Sequence, residues 1–310
     1  MSKRDLLNFD KLSREEMEKL FELAADLKRK QKQGITHPLL SHHSMAMIFE
    51  KPSLRTRVTF EAGMTQLGGS TIFLGLAEVG LGTRETPADC ARSLSRWVDL
   101  ITVRTFSQAT LEEMASYASV PVINGLTDLF HPCQVLADCL TLVEHKGSLD
   151  GLKITFIGDG NNMAHSWMEA AEKLPISFTL ACPKGYEPNK EIEEKARRNG
   201  ARIAVTQSVA EAAAGADAIY TDVWASMGKE EETEERANSF RKYQVNESVV
   251  AMADKDAVVM HCLPAHRGQE ITAEVLDGPR CIAFDQAENR LHIQKAIMVW
   301  LIEASRVWKK

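Results

Sequence analysis

Three stretches in the first half of the chain put cations and hydroxyls where an anion can be held. In FEKPSLRTRVTFE, residues 49–61, a strand-like run gives way to a proline turn, and Ser53 then caps a helix whose first turn holds Arg55, Thr56 and Arg57. A helix N-terminus has unsatisfied N–H groups and the positive end of the macrodipole, so it attracts anions. Guanidinium adds bidentate recognition of phosphate oxygens, and cations at this end oppose the dipole unless an anion sits there. A capped helix with solvated arginines is the bland alternative. Arg104 closes the strand LITVR, at the carboxyl end where open α/β sheets bind ligands. Alone, it reads first as a surface ion pair. HPCQ, residues 131–134, sets His131 at a helix entry, Pro132 at the first helical position and Gln134 in the first turn. A histidine cap is the alternative there.

The second half offers carboxylate, amide and thiol groups at strand ends. GDGNNMAHS, residues 158–166, follows a strand and opens a helix, but it spells G-x-G-x-x-M, and FTLACPKG further on supplies no acid for a ribose. Dinucleotide binding is therefore disfavoured, and Asn161 and Asn162 remain as polar groups suited to an amino-acid carboxylate or amine. YTDVWASMG, residues 220–228, ends a strand at Asp222, and HCLPAHRG, residues 261–268, ends another at Cys262, Leu263 and Pro264. A loop-capping carboxylate and a buried structural thiol are the plain readings of these two. KEEETEER, residues 229–236, reads as a solvated charged helix. The nine histidines form no H-E-x-x-H, so no metal site is expected, and no G-x-S-x-G nucleophile elbow is present.

Positioning these groups requires strands that end beneath them. Ser13 and Glu16 form a capping box, with Leu12 and Met17 as a hydrophobic staple, ahead of a helical pattern through Leu27. Strand-like Met45–Phe49, Thr71–Leu74, Leu100–Val103 and Val120–Ile123 then alternate with helices opening at Ser53, Thr86 and Thr110, the last through a Thr110–Glu113 capping box. A helix from Pro132 ends at Gly147. The alternation restarts with Leu152–Ile157, Phe178–Ala181, Ile203–Val205, Ala218–Thr221, Ala257–His261 and Ile282–Phe284 as strands, and the last helix is expected from Glu288. Short apolar strands alternating with helices predict an α/β fold of two domains, each a parallel sheet flanked by helices. The boundaries are expected at 1–147 and 148–287, with the helix 288–310 packing back on the first domain.

Composition fits that architecture. The chain has 310 residues, enough for two domains at about 150 residues each. Thirty-seven basic and forty-three acidic residues give a net charge of −6, which disfavours a nucleic-acid partner but leaves a local anion pocket open. The apolar run Ala296–Ile302 is seven residues, well short of the roughly 20 needed to span a membrane, and the charged start MSKRDLLNFD lacks a signal core. Six scattered cysteines without C-x-x-C read as thiols in a reducing cytoplasm.

Together these segments resemble the aspartate/ornithine carbamoyltransferase family. SLRTR at 53–57 is similar to the family's S-x-R-T-R phosphate loop and HPCQ to its H-P-x-Q motif; DVWASMG and HCLPAHRG resemble its ornithine-type signatures. The resemblance runs end to end, in order, including the ENR of residues 288–290. It implies transfer of the carbamoyl group of carbamoyl phosphate to the δ-amine of L-ornithine, in a cleft between the domains, without a cofactor. Ser53, Leu54 through its backbone, Arg55 and Thr56 would hold the phosphate. Arg104, His131 and Thr56 would face the carbamoyl oxygen; Gln134, Cys262, Leu263 through its carbonyl, and Arg290 would complete the carbamoyl phosphate contacts. Asn162, Asp222, Ser226 and Met227 would hold ornithine, with Arg104, His131, Cys262 and Asp222 as the catalytic set. A sibling reaction on aspartate, putrescine or an acylated ornithine is the alternative. The family completes its site between subunits, so a homotrimer or a multiple of trimers is expected. Two positions depart from the pattern: Leu54 stands where Thr is more usual, and Gly80 stands near the family's Gln or Lys of a neighbour-reaching loop, with Arg84 the substitute on offer.

Overall fold

The computed structural model describes residues 3–225 and 233–306. Two compact units are present, Met1–Leu140 with Glu288–Lys310, and Thr141–Ala287. In the first, α1 (Arg14–Lys32), β1 (Ser44–Phe49), α2 (Leu54–Gln66), β2 (Ser70–Gly75), α3 (Leu76–Val79), α4 (Pro87–Leu94), β3 (Leu100–Arg104), α5 (Gln108–Tyr117) and β4 (Val122–Leu126) follow in order. The chain passes into the second unit within α6 (Pro132–Lys146). There β5 (Lys153–Ile157), α7 (Asn162–Lys173), β6 (Ser177–Ala181), α8 (Lys190–Arg198), β7 (Arg202–Thr206), α9 (Val209–Ala213) and β8 (Ala218–Thr221) precede α10 (Thr233–Phe240), α11 (Glu247–Val250), β9 (Val258–His261) and α12 (Ala273–Leu276). It returns to the first unit within α13 (Ala283–Arg306).

Both units are α/β with wholly parallel sheets, as the alternating pattern predicts. The first sheet has the order β2-β1-β3-β4 and the second β7-β6-β5-β8-β9. Strand order therefore reverses between β1 and β3 in one sheet and between β5 and β8 in the other. Those switch points leave a crevice at the strand carboxyl ends, the usual ligand position in open sheets. Phe49 pairs with Arg104 at the first, and Ile157 with Thr221 at the second. The register between β3 and β4 shifts at Val103/Arg104, so Val103 faces Asn124 while Arg104 faces Leu126. A bulge of this kind re-aims side chains, here beside Arg104.

In the first unit, Ile48, Ile101, Val103 and Val122 of the sheet share a core with Ala91, Leu94, Leu111 and Met114 of α4 and α5. In the second, Ile157, Ile219 and Val259 pack with Trp224, Phe240 and Tyr243. Helices α2 and α13 come close at Gly63, where a Cβ would sit 3.1 Å from Lys295 Cγ and 3.3 Å from Met298 Cε. Lys295 is itself buried and its Nζ donates to Gln31 Oε1 at 2.7 Å and Gln66 Oε1 at 3.0 Å, and lies 3.2 Å from His37 Nε2. No helix among the described residues is long and apolar enough to cross a membrane.

The structure corrects four local expectations. Ile282–Phe284 is no strand: Cys281 makes a single bridge to Val259, and α13 starts at Ala283 rather than Glu288. A three-residue apolar run fits either state, and here Ala283 is buried while Phe284 is exposed, as a helical turn permits. Helix α5 is capped by Ser107, whose hydroxyl accepts the Thr110 N–H; Thr110 lies inside the first turn. Strand β4 begins at Val122 and runs to Leu126. Residues 229–232 of the charged stretch lie outside the described residues, but its last residue is not solvated. Arg236 is buried, and its Nη1 donates to Asp159 Oδ2 at 2.7 Å and Trp224 O at 2.8 Å.

Candidate active site

The first unit gathers its candidate residues around the carboxyl ends of β1, β3 and β4. Ser53 caps α2 with its hydroxyl accepting the Thr56 N–H, the capping predicted from SLRTR. That leaves Arg55 in the first turn and Leu54 exposed, while Thr56 is turned inward and buried. Arg57 belongs elsewhere: its Nε donates to Glu61 at 3.0 Å and its guanidinium covers the Phe73 ring at 3.7 Å. Lys51, in the preceding turn, is buried by an ion pair with Asp128 and by the Phe106 ring, 4.1 Å away.

Arg290 ties this group together. It is buried on α13, donating from Nη2 to Thr56 Oγ1 at 3.1 Å and from Nη1 to Gln134 Oε1. Gln134 is oriented in turn by its own donation to Asp138 Oδ1, one helical turn on, at 2.8 Å. Arg104 and His131 are buried as well, and the Nε of Arg104 has no hydrogen-bond partner among the described residues.

Electrostatics shows that these are one cluster. Burial, and then the charges of Arg290 and Arg55, push Arg104 down to about 10. His131 is held well below the ordinary imidazole range by burial and then by Arg290, Arg104 and Arg55. Its imidazole is therefore neutral at physiological pH. Three guanidiniums that repel one another, beside neutral His131 and the N-terminus of α2, form a pocket whose electrostatic complement is an anion of more than one charge.

The second unit assembles a different chemistry at its own switch point. Asn161 caps α7, accepting the Met163 and Ala164 N–H groups through Oδ1, and its Nδ2 donates to Asp222 Oδ2 at 3.0 Å. Cys262 Sγ donates to Asp222 Oδ1 at 3.0 Å, and the Val223 N–H donates to the same oxygen at 2.8 Å. Asp222, just past β8, is thus a buried carboxylate steered by an amide, a thiol and a backbone N–H. Asn162 sits in the first turn of α7, where its carbonyl accepts from Ser166 Oγ at 2.8 Å. Leu263 has φ 56°, and its peptide bond to Pro264 is cis. Ser226 and Met227 lie outside the described residues. Gly80 takes φ 56° as the left-handed cap of α3, and Arg84 Nη1 donates to Glu78 O at 3.3 Å within the same loop. Among the described residues, no three of His, Cys, Asp and Glu gather where a metal ion could bind.

Two family models cover most of the chain. The aspartate/ornithine carbamoyltransferase carbamoyl-P binding domain matches residues 4–144, and the Asp/Orn binding domain of the same family matches residues 150–301. The chain belongs to the aspartate/ornithine carbamoyltransferase family. The ornithine carbamoyltransferase of Syntrophus aciditrophicus is 51% identical, over 97% of this chain and 100% of its own. That of Anoxybacillus flavithermus is 53% identical over 96% of both. Among solved structures, ornithine carbamoyltransferase from Pyrococcus furiosus is 48% identical with a TM-score of 0.92, covering 96% of both chains. The anabolic ornithine carbamoyltransferase of Campylobacter jejuni is 37% identical with a TM-score of 0.91, covering 97% of this chain and 99% of its own.

For this carbamoyltransferase, sequence reasoning underrated the residues that steer others. In the sequence Asn161 reads as a ligand contact, and in the fold it both caps α7 and holds Asp222. Asp138 could have been found, since it lies at i+4 from Gln134 on one helix face. The Asp159–Arg236 pair and the contact of His261 with Glu270 join residues 77 and 9 apart, and no local spacing announces them.

Proposed function

We propose that the chain transfers the carbamoyl group of carbamoyl phosphate to the δ-amine of L-ornithine, giving L-citrulline and phosphate. The observation that carries this reading is the chemistry each unit gathers at its own switch point. One unit holds a cationic pocket of Arg55, Arg104 and Arg290 at a helix N-terminus, and the other holds a steered carboxylate, Asp222, with Cys262. Residues 1–147 with 288–310 serve carbamoyl phosphate, and 148–287 serve the amino acid. Ser53, the Leu54 backbone, Arg55 and Thr56 grip the phosphate. Arg104 and neutral His131, with Thr56, donate to the carbamoyl oxygen, while Gln134, the Leu263 carbonyl, Cys262 and Arg290 fix the rest of that substrate. Asp222 takes the cationic end of ornithine, with Asn162, Ser226 and Met227 on the remainder. An enzyme for aspartate needs cations opposite its acceptor, and Asp222 is the wrong sign for that.

The chemistry follows from these groups. The amine nitrogen attacks the carbonyl carbon, charge builds on the carbonyl oxygen, and the C–O bond to phosphate then breaks. Donors preset at that oxygen supply the largest catalytic contribution, each about 10²–10³ in rate. An amine with pKa ~10.4 costs about 4 kcal/mol to deprotonate near pH 7.4, so the site must select the neutral form. The Cys262 thiol already donates to Asp222, which leaves the departing phosphate to take the proton.

Membership of a cytoplasmic homotrimer in arginine biosynthesis completes the reading. Exposed Leu54 and Val58, one turn apart on α2, exposed Ile72 on the edge strand β2, and exposed Leu76 at the start of α3 support self-association. The similarity to the anabolic ornithine carbamoyltransferase of Campylobacter jejuni supports the biosynthetic direction. The half-site assignment is tested by Arg55→Ala and Asp222→Asn. Arg55→Ala should raise the carbamoyl phosphate KM about hundredfold, the loss of roughly 3 kcal/mol of charged hydrogen bonding. Asp222→Asn should weaken ornithine alone. An unchanged carbamoyl phosphate KM in the first variant removes the phosphate role.

A further inference from the structure

We propose that His261 and Glu270 form a positioning relay that sets the Cys262–Pro264 turn and thereby the Cys262–Asp222 contact. The proposal rests on the reading of Cys262 and Asp222 as residues of the acceptor side. His261, the last residue of β9, is wholly buried, and so is Glu270. The Leu263 N–H donates to His261 Nδ1 at 2.8 Å. An imidazole that accepts at Nδ1 in its neutral form carries its proton on Nε2. That nitrogen lies 3.1 Å from Glu270 Oε1, so the Nε2–H donates to the carboxylate and the carboxylate fixes the tautomer.

The pair grips the turn at both ends. His261 takes the N–H of Leu263, and Glu270 Oε1 takes the N–H of His266 at 2.5 Å. The strand end that carries His261 is itself pinned, because its N–H donates to Gln286 Oε1 at 2.9 Å. Leu263 needs such a grip. Its φ of 56° is a left-handed conformation that a side chain with a Cβ disfavours, and a side-chain acceptor two residues back stabilises that kind of turn. Cys262 lies between His261 and Leu263, so the same bond sets the direction of its thiol toward Asp222, 3.0 Å away. Neither His261 nor Glu270 touches substrate in this account. They act through the backbone of the turn.

The test compares His261→Leu with His261→Asn. Leucine fills space but offers no acceptor. Asparagine can present Oδ1 to the N–H two residues on, reproducing the turn without the carboxylate partner. The relay predicts that H261L raises the ornithine KM at least tenfold, with the carbamoyl phosphate Kd by calorimetry within twofold, and that H261N recovers most of the loss. Equal ornithine KM values for the two variants, or an equal loss for both substrates, would overturn it. The wild-type protein supplies a second measurement that does not depend on a variant's folding. Its ¹⁵N-histidine spectrum should show His261 as the Nε2–H tautomer, and an Nδ1–H tautomer refutes the relay. If the wild type forms no citrulline from ornithine, the functional reading fails, and the tautomer still decides whether the relay exists.

Discussion

Replacing Gly160 by alanine puts the acceptor half-site under a defined load. A Cβ at that position would lie 2.3 Å from Pro188 N, 2.5 Å from Glu187 C and 2.7 Å from Pro188 Cα. All three are backbone atoms, so no flexible side chain can yield. Ordinary contact begins near 3.4 Å, and the two segments must therefore separate by about 1 Å. Gly160 also donates its N–H to Tyr186 O at 2.9 Å, a bond that the separation stretches. Overpacking costs about 1–3 kcal/mol, and a clash with rigid backbone belongs at the upper end. At about 2–4 °C per kcal/mol for a unit of this size, the melting of the second unit should fall by roughly 6–12 °C. The next residue is Asn161, which holds Asp222 at 3.0 Å. Losing that charged hydrogen bond, about 1.5–3 kcal/mol, should raise the ornithine KM by about one to two orders of magnitude. Calorimetry should show carbamoyl phosphate binding intact. A variant that melts within 2 °C of the wild type, with its ornithine KM unchanged, would refute both the packing and the steering role of Asn161.

Further expectations concern the first unit. His292 is buried, and burial followed by the Lys295 charge pushes it down to about 3. Its folded pKa lies below its unfolded one, so the unfolded chain binds more protons between pH 3 and 6.5, and stability is lost as pH falls through that window. At about 1.4 kcal/mol per pH unit the cost at pH 5 is about 2 kcal/mol, and His292→Leu should shrink the difference between urea midpoints at pH 7 and pH 5. Lys295→Met removes the donor that Gln31 and Gln66 share and that His37 faces. It should lower the melting temperature by about 4–8 °C, the equivalent of at least ~2 kcal/mol for stranded acceptors, and raise the carbamoyl phosphate KM by loosening the α2–α13 contact behind Arg290.

Local chemistry made much of this legible in the sequence. The Ser53 cap, the Asn162 helix start and the strand-end positions of Arg104, Asp222 and Cys262 follow from short-range rules and stand in the fold as read. The failures are cases where tertiary contacts choose between equivalent local options. The run Ile282–Phe284 fits a strand or a helix, and burial of Ala283 against its unit's core selects the helix. Ser107 and Thr110 are both sound caps, one turn apart, and the chain uses the earlier. Arg236 looked like one more solvated charge in an acidic stretch until Asp159, 77 residues away, drew it inside. The glycines at 158 and 160 suggested a nucleotide turn that lacked its third member. Gly160 is instead required by the approach of the Glu187–Pro188 backbone, a contact that no sequence spacing reveals.

The central claim is the acceptor. A colorimetric citrulline assay with carbamoyl phosphate and a panel of ornithine, putrescine, aspartate and an acylated ornithine tests it most directly. The expected result is turnover with L-ornithine and at most traces with the others: aspartate brings a carboxylate where Asp222 takes a cation, and putrescine and acylated ornithine lack the free α-carboxylate or α-amine that Asn162, Ser226 and Met227 would hold. Robust carbamoylation of aspartate or putrescine, with none of ornithine, would contradict it.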